Sequence, residues 1–167
     1  PAVYLAALES GNHTLASVLS DRPVELTTED GQRWSPRNYD NQMFGDVYLH
    51  DALASSLNLA TVNLGVETGV DTVVDMLTRL GHSRHVPEYL SLLLGAVDMA
   101  PLEVARFYQT LASNGFYSPL RSVEAVTTGN GERLQRYGVE TEQVVDATSV
   151  FLLEQSLQKV FSDGTAR

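Results

Sequence analysis

Ser56 and Asn58 are the residues of this 167-residue chain whose types and spacing could do chemistry. A serine hydroxyl can both donate and accept a hydrogen bond, so it can pass a proton, and an asparagine amide can hold a carbonyl oxygen. Residues two apart on a helix do not share a face, so the two side chains can meet one ligand only if the helix breaks between them. The pattern of residues 53–65 predicts such a break, with the helix restarting near Thr61.

The helix before this break is predicted from leucines at four-residue spacing. Leu49, Leu53 and Leu57 form a core-facing stripe, and Asp46 is expected to cap the N-terminus. In the alternative interpretation, Ser56 and Asn58 only cap the ends of two packed helices. The two interpretations differ in geometry, because catalytic side chains face a common concavity whereas caps turn back onto their own backbone amides.

Further short motifs occur along the chain, some before the Ser-x-Asn segment and some after it. They are residues 1–8 (PAVYLAAL), 34–38 (WSPRN), 45 (G), 94–96 (LGA), 101–105 (PLEVA), 111–115 (LASNG) and 163–165 (DGT). Together with Ser56 and Asn58 they resemble the transpeptidase domain of bifunctional class A penicillin-binding proteins, most closely the 1b type. Ala100 departs from the family, which commonly places a threonine there to cap the next helix, a difference of roughly 1 kcal/mol in helix stability.

The resemblance implies a catalytic motif set of Ser-x-x-Lys, Ser-x-Asn and Lys-Thr-Gly. By this resemblance the chain carries only the second motif. The nucleophile would lie immediately before Pro1 and the Lys-Thr-Gly strand beyond Arg167. Lys159 is followed by Val160, so it does not supply the third motif. The 167 residues alone are therefore expected to be catalytically inactive.

The resemblance also implies the reaction and the roles in it. A serine would attack the D-Ala-D-Ala carbonyl of a peptidoglycan stem peptide, or a β-lactam amide, and form an acyl-enzyme. Ser56 would pass a proton between a neutral lysine and the leaving amine, and Asn58 would hold the substrate carbonyl with its NH₂ and the lysine with its oxygen. The implied partners are stem peptides and β-lactams, and the implied location is the periplasm, with the parent anchored to the inner membrane.

Composition excludes several other classes of function. With 21 acidic and 11 basic residues, the net charge of −10 argues against nucleic acid and anionic lipid as partners. The absence of cysteine excludes disulfides and thiolate metal sites. No apolar run is long enough to cross a bilayer, so no membrane contact is expected for this segment. His82 and His85 lack a further ligand, so a solvated loop is expected there, with no metal site and no cofactor.

The fold class predicted for the chain is α+β and predominantly α-helical. The resemblance implies one partial domain over residues 1–167, the helical part of a penicillin-binding/β-lactamase-like transpeptidase domain with its central sheet largely missing. Such a body would expose apolar surface and self-associate. Turn signals predict hairpins near residues 24–34 and 122–137. Apolar stripes and end signals predict helices over residues 1–9, 71–81, 101–115 and 146–164, with Asp71 and Asp146 as caps, Gly81 as a stop, and Val104, Tyr108 and Leu111 facing the core.

Two further classes of function remain open from the sequence. One is an all-helical interaction module in which Ser56 and Asn58 are caps only. The other is a hydrolase built from Ser56 and a histidine, but the chain lacks the strand-turn-helix glycine elbow that such an enzyme uses.

Overall fold

The computed structural model describes residues 1–28 and 31–167 and shows a mostly helical α+β fold, as the sequence predicts. The helices are α1 (Ala2–Glu9), α2 (Leu49–Ala54), α3 (Asn58–Thr68), α4 (Val70–Arg79), α5 (Pro101–Ala112) and α6 (Ala147–Ser162), with a 3₁₀ helix at Leu90–Leu94. The strands are β1 (Val18–Asp21), β2 (Leu26–Thr27), β3 (Arg33–Trp34), β4 (Gly45–Tyr48), β5 (Phe116–Tyr117), β6 (Ala125–Thr127), β7 (Arg133–Arg136) and β8 (Glu142–Gln143). No helix in the described part of the chain has the length and apolar character needed to span a membrane.

Helix α1 forms the centre of the core. All of its residues from Ala2 to Leu8 are buried, since the helix is apolar on every side. Helices α3, α4 and α6 pack around it. At its C-terminal end Glu9 pairs with Arg79 of α4 and accepts a hydrogen bond from the backbone N–H of Asp146 at 3.0 Å. Partial burial raises the pKa of Glu9, but the hydrogen bonds from Arg79 and Asp146 outweigh it and hold that pKa below its ordinary value.

The strands of the described residues form four separate two-stranded antiparallel ladders. Ladders β2–β3 and β6–β7 lie inside the ranges 24–34 and 122–137. The expected turn of the first hairpin includes Glu29 and Asp30, which lie outside the described residues. Ladders β1–β4 and β5–β8 join strands that are far apart in sequence, and no local turn signal indicates them.

The prediction that Asp46 caps α2 is wrong. Asp46 lies in β4 opposite Ser20 of β1, and this pairing keeps its backbone extended. Its carboxylate lies 2.7 Å from Arg22, and the N-cap position falls on Tyr48. The leucine stripe is observed nonetheless, with Leu49 and Leu57 buried and Leu53 packed at the edge of the core.

The ends of the later helices follow the predicted signals with one exception. Asp146 caps α6 by accepting the backbone N–H of Ser149 at 2.9 Å. Helix α4 ends at a left-handed glycine, Gly81 (φ 101°), and the N–H of His82 reaches the carbonyl of Leu77 at 3.0 Å. The exception is Asp71, which is not a cap, because α4 begins one residue earlier at Val70.

The buried face of α5 differs from the predicted one. Glu103, Phe107, Thr110 and Leu111 are buried, whereas Val104 and Tyr108 are 40% and 51% exposed. The reason is Glu103, which an apolar stripe cannot reveal. Its carboxylate accepts the backbone N–H of Ala100 at 2.8 Å and the Ser83 hydroxyl at 2.8 Å, so burial leaves it with hydrogen-bond partners.

The expectation of a solvated loop at His82 and His85 is wrong for His82. The left-handed turn at Gly81 directs His82 inward, where it is buried with its Nδ1 3.6 Å from Glu103 Oε1. His85 is exposed. Within the described ranges, no group of three or more potential ligands could hold a metal ion.

Candidate active site

The helix breaks at the Ser-x-Asn segment, as the sequence predicts. Helix α2 ends at Ala54 and α3 begins at Asn58. Between them Ser56 has a left-handed backbone (φ 55°), and the N–H groups of Ser56 and Leu57 close the end of α2 on Leu53 and Ala52 at 3.1 and 3.0 Å. Glycine is the usual residue at this position, and a side chain there costs about 1 kcal/mol. Strained residues of this kind concentrate at functional sites.

Neither the Ser56 side chain nor the Asn58 side chain caps a helix, although the backbone of Ser56 ends α2 in the left-handed conformation that is usual there. The C-cap of α2 is Ser55 and the N-cap of α3 is Leu57, whose apolar side chain makes no capping hydrogen bond. The amide Nδ2 of Asn58 donates to the carbonyl of Arg37 at 2.9 Å rather than to its own helix. The alternative interpretation of the two residues as caps is therefore wrong for Asn58, whereas Ser56 does end α2 through its backbone. Helix α3 begins at Asn58 rather than near Thr61.

Ser56 and Asn58 line the same open cavity, which has a volume of about 360 Å³. No hydrogen bond to the Ser56 hydroxyl is formed by the described residues, and the serine is exposed. The remaining wall is mostly apolar and comes from α1, α4, α5, the 3₁₀ helix and the segment after it, including Ala2, Val73, Leu77, Leu92, Leu93, Val97, Met99, Val104, Phe107 and Tyr108. The half-exposed face of α5 thus belongs to this cavity. No histidine lines it in the part of the chain that the structure describes, so the Ser–His hydrolase has no base here.

The hydroxyl groups of Tyr4 and Thr61 are hydrogen-bonded to each other next to the α2–α3 junction. Thr61 Oγ1 donates to the carbonyl of Leu57 at 2.7 Å and lies 2.8 Å from the Tyr4 hydroxyl. Because the Thr61 proton is used, the Tyr4 hydroxyl donates to Thr61. Burial raises the pKa of Tyr4 to about 12, against a smaller opposite effect of the Thr61 hydrogen bond. Tyr4 therefore stays protonated and helps to fix the backbone between Ser56 and Asn58.

The C-terminal segment also supports the junction. After α6 the backbone N–H of Thr165 donates to the carbonyl of Ala54 at 3.2 Å, which satisfies an end carbonyl of α2. Gly164 allows this approach, because a β-carbon there would collide with Ala54 O and Val160 Cα. This contact is a structural explanation for the Asp-Gly-Thr motif at residues 163–165.

Residues 156–159 spell Ser-x-x-Lys, so the chain does contain a second match to the three motifs. Ser156 is 1% exposed in the core on α6, and neither residue lines the cavity. Lys159 Nζ instead lies 3.3 Å from Asp51 and 3.8 Å from Asp163. This serine and lysine are therefore structural residues of α6.

Two further polar residues hold the first turn of α3 and were missed as site residues. Asn38 Oδ1 accepts the N–H of Leu59 at 3.1 Å, and Asp21 Oδ1 accepts the N–H of Ala60 at 3.2 Å. Asn38 belongs to the WSPRN motif, so its motif position was a signal. Asp21 gave none, since its partners are distant in sequence.

This fold and this junction define a class of protein, the transpeptidase domains of penicillin-binding proteins. The family model described as the penicillin-binding protein transpeptidase domain matches residues 1–167, and the chain belongs to this family.

Relatives within the family include several 1B proteins. The chain is 38% identical over 169 residues to penicillin-binding protein 1B of Vibrio cholerae and 36% identical over 171 residues to that of Escherichia coli. All of this chain is covered, against 22% and 20% of these two relatives, so it spans about a fifth of their length.

Solved structures show the same fold. Penicillin-binding protein 1A from Haemophilus influenzae matches with a TM-score of 0.90 at 24% identity, over 100% of this chain and 29% of that one. Penicillin-binding protein A from Mycobacterium tuberculosis, solved as a penicillin G acyl-enzyme complex, matches with a TM-score of 0.82 at 18% identity, over 96% and 42%.

Proposed function

We propose that residues 1–167 supply the Ser-x-Asn wall of a serine D,D-transpeptidase active site that cross-links peptidoglycan stem peptides and is acylated by β-lactams. Family membership supports the proposal, as does the acyl-enzyme formed by the related M. tuberculosis protein. The observation that carries it is Ser56, an exposed serine at a glycine-type position that lines a cavity together with Asn58.

Ser56 acts as a proton relay in this proposal. A serine at its ordinary pKa is a weak nucleophile, so a Ser-x-x-Lys lysine must take its proton during attack on the carbonyl. Ser56 accepts that proton from the lysine and passes its own to the leaving amine. A hydroxyl with no fixed partner in the described chain can rotate between these two roles.

Asn58 holds the substrate. Its NH₂ has two N–H groups, and one of them is directed to the Arg37 carbonyl. The second can donate to the amide carbonyl of the substrate, and Oδ1 can accept from the lysine. The bond to Arg37 fixes the rotamer of Asn58, so the amide is oriented before the substrate binds.

The cellular setting of the proposal is extracytoplasmic, where peptidoglycan is cross-linked, in a protein anchored to the inner membrane.

Self-association of the 167-residue chain is a second proposal. Many large apolar side chains are exposed, among them Met43, Phe44, Leu102, Val104, Tyr108, Phe151 and Phe161. Apolar surface of this kind usually meets a partner.

A Ser56→Ala variant of a full-length transpeptidase that contains residues 1–167 tests the catalytic proposal. We expect acylation by labelled penicillin to fall by about 10²- to 10⁴-fold, as for loss of a general acid–base group. The melting temperature should change little, since one exposed oxygen is removed. The 167-residue chain alone should give no adduct in intact-mass analysis. Unchanged acylation by Ser56→Ala, or a stoichiometric adduct on Ser56, would refute the proposal.

A further inference from the structure

Helix α3 begins without a local cap. Its N-cap residue, Leu57, is buried and apolar, so its side chain cannot accept the N–H groups of the first turn. Those of Leu59 and Ala60 are instead accepted by Asn38 and Asp21, which lie 21 and 39 residues away in sequence. The start of α3 is therefore positioned from outside the helix.

Asp21 is a fully buried carboxylate, and no cation among the described residues pairs with it. Its two oxygens accept from Asn38 Nδ2 at 3.0 and 2.9 Å, from the N–H of Phe44 at 2.9 Å and from the N–H of Ala60 at 3.2 Å. A buried carboxylate requires such donors, and the N-terminus of a helix favours its negative charge. The arrangement gives Asp21 little freedom to move.

The same loop holds Asn58. Arg37, next to Asn38, accepts the Asn58 amide at 2.9 Å, and Asn38 Nδ2 also donates to the carbonyl of Gln42 at 2.9 Å. Three successive residues of α3, from 58 to 60, are thus attached to residues 37, 38 and 21. We infer that Asp21 and Asn38 are positioning residues that fix the orientation of Ser56 and Asn58 for acyl transfer, an inference that rests on the proposed function.

Asn63 provides a matched control on the same helix. Its Nδ2 donates to the carbonyls of Ser20 and Arg22 at 2.8 and 3.2 Å, so it joins α3 to the two residues flanking Asp21. It lies more than one turn farther along α3 and does not line the cavity. Loss of Asn63 removes hydrogen bonds of the same kind without freeing the start of the helix.

The experiment compares Asn38→Ala, Asn63→Ala and Ser56→Ala in the full-length transpeptidase, below the melting temperature of each variant. The acylation rate at saturating labelled penicillin is measured separately from the penicillin concentration that gives half this rate. We expect Asn38→Ala to lower the saturating rate by about 10- to 100-fold, the loss typical of misplaced catalytic groups. Asn63→Ala should lower the melting temperature with less than about a threefold change in that rate, because the first-turn amides keep their acceptors.

Equal small effects of Asn38→Ala and Asn63→Ala on the saturating rate would overturn the inference. Normal acylation by Ser56→Ala would instead refute the proposed function, so the two failures are distinguishable. If the Asn38→Ala variant does not fold, the Asp21→Asn variant takes its place. Asparagine has nearly the same volume as aspartate but only one side-chain oxygen that accepts hydrogen bonds.

Amide hydrogen exchange of the unmodified protein adds a test without substitution. The backbone N–H groups of Leu59 and Ala60 should exchange as slowly as those in the middle of α3. Rapid exchange of these two groups would contradict their capping by Asn38 and Asp21.

Discussion

Ser56 adopts a backbone conformation that favours glycine, and it lines the cavity. The surrounding backbone holds it there through the bonds of Ser56 and Leu57 to the end of α2 and through the Thr61 hydroxyl on Leu57. The sequence predicted the break, and the two candidate site residues that it indicated line one cavity. It did not predict Tyr4 or Asp21, because each contacts the junction through a single distant partner and leaves no local pattern.

At the same scale, Asn58→Ala should weaken acylation. The substrate carbonyl would lose its donor in the cavity, at a cost of about 1–3 kcal/mol in transition-state stabilisation. Loss of the bond to Arg37 should lower stability by about 0.5–1.5 kcal/mol as well. Acylation rates and melting temperatures of Asn58→Ala and Asn63→Ala check this. Equal acylation by the two variants would exclude a substrate-binding role for Asn58.

Glu103 links elements around the cavity, since its carboxylate joins α5 to the residues that follow α4. The backbone N–H of Ala100, then the hydroxyl and N–H of Ser83, hold the pKa of Glu103 at about 2, below its usual 4.5. Arg84 and His82 lie 3.6 Å from its oxygens. The alanine side chain at position 100 has no acceptor with which to cap α5, but the Glu103 carboxylate still accepts the backbone N–H of Ala100.

This linkage predicts an acid-sensitive contribution to stability. Because the pKa of Glu103 is lower in the folded protein, the unfolded chain binds more protons between about pH 4.5 and 2. The contribution is present above pH 4.5 and is lost as the pH falls through 2. Urea unfolding midpoints of the native protein and of Glu103→Gln should differ most above this window and converge below it. A difference independent of pH would contradict the assignment.

The elements were predictable where their signals are local. Asp146 begins α6 and Gly81 ends α4, as expected, because a cap or a left-handed glycine acts within one turn of the helix. Ladder β1–β4 and the buried face of α5 were not predictable. The first depends on pairing distant strands, and the second on a buried Glu103 that hydrogen bonds satisfy.

At the scale of the whole molecule, the polar wall of the cavity comes from the α2–α3 junction, and the apolar wall comes from α1, α4, α5 and the 3₁₀ helix with the segment after it. The strands of the described residues form only two-stranded ladders. The pattern of helices gave the class of fold, whereas packing between distant segments determined the shape of the cavity.

The 167-residue chain should self-associate. Exposed apolar side chains such as Leu102, Tyr108 and Phe161 would bury surface against a second copy, by dimerisation or by exchange of hairpins. Light scattering over a concentration series measures this. A monomer at high concentration would contradict the prediction.

The most direct test of the catalytic account is Ser56→Gly in the full-length transpeptidase, measured for acylation rate and melting temperature together. Glycine relieves the left-handed backbone strain, worth about 1 kcal/mol, against a comparable entropic cost, so the melting temperature should be unchanged or higher. We expect this well-folded variant to lose acylation by about 10²- to 10⁴-fold, because the proton relay is gone. Acylation at the native rate by a stable Ser56→Gly protein would show that Ser56 is only part of a turn.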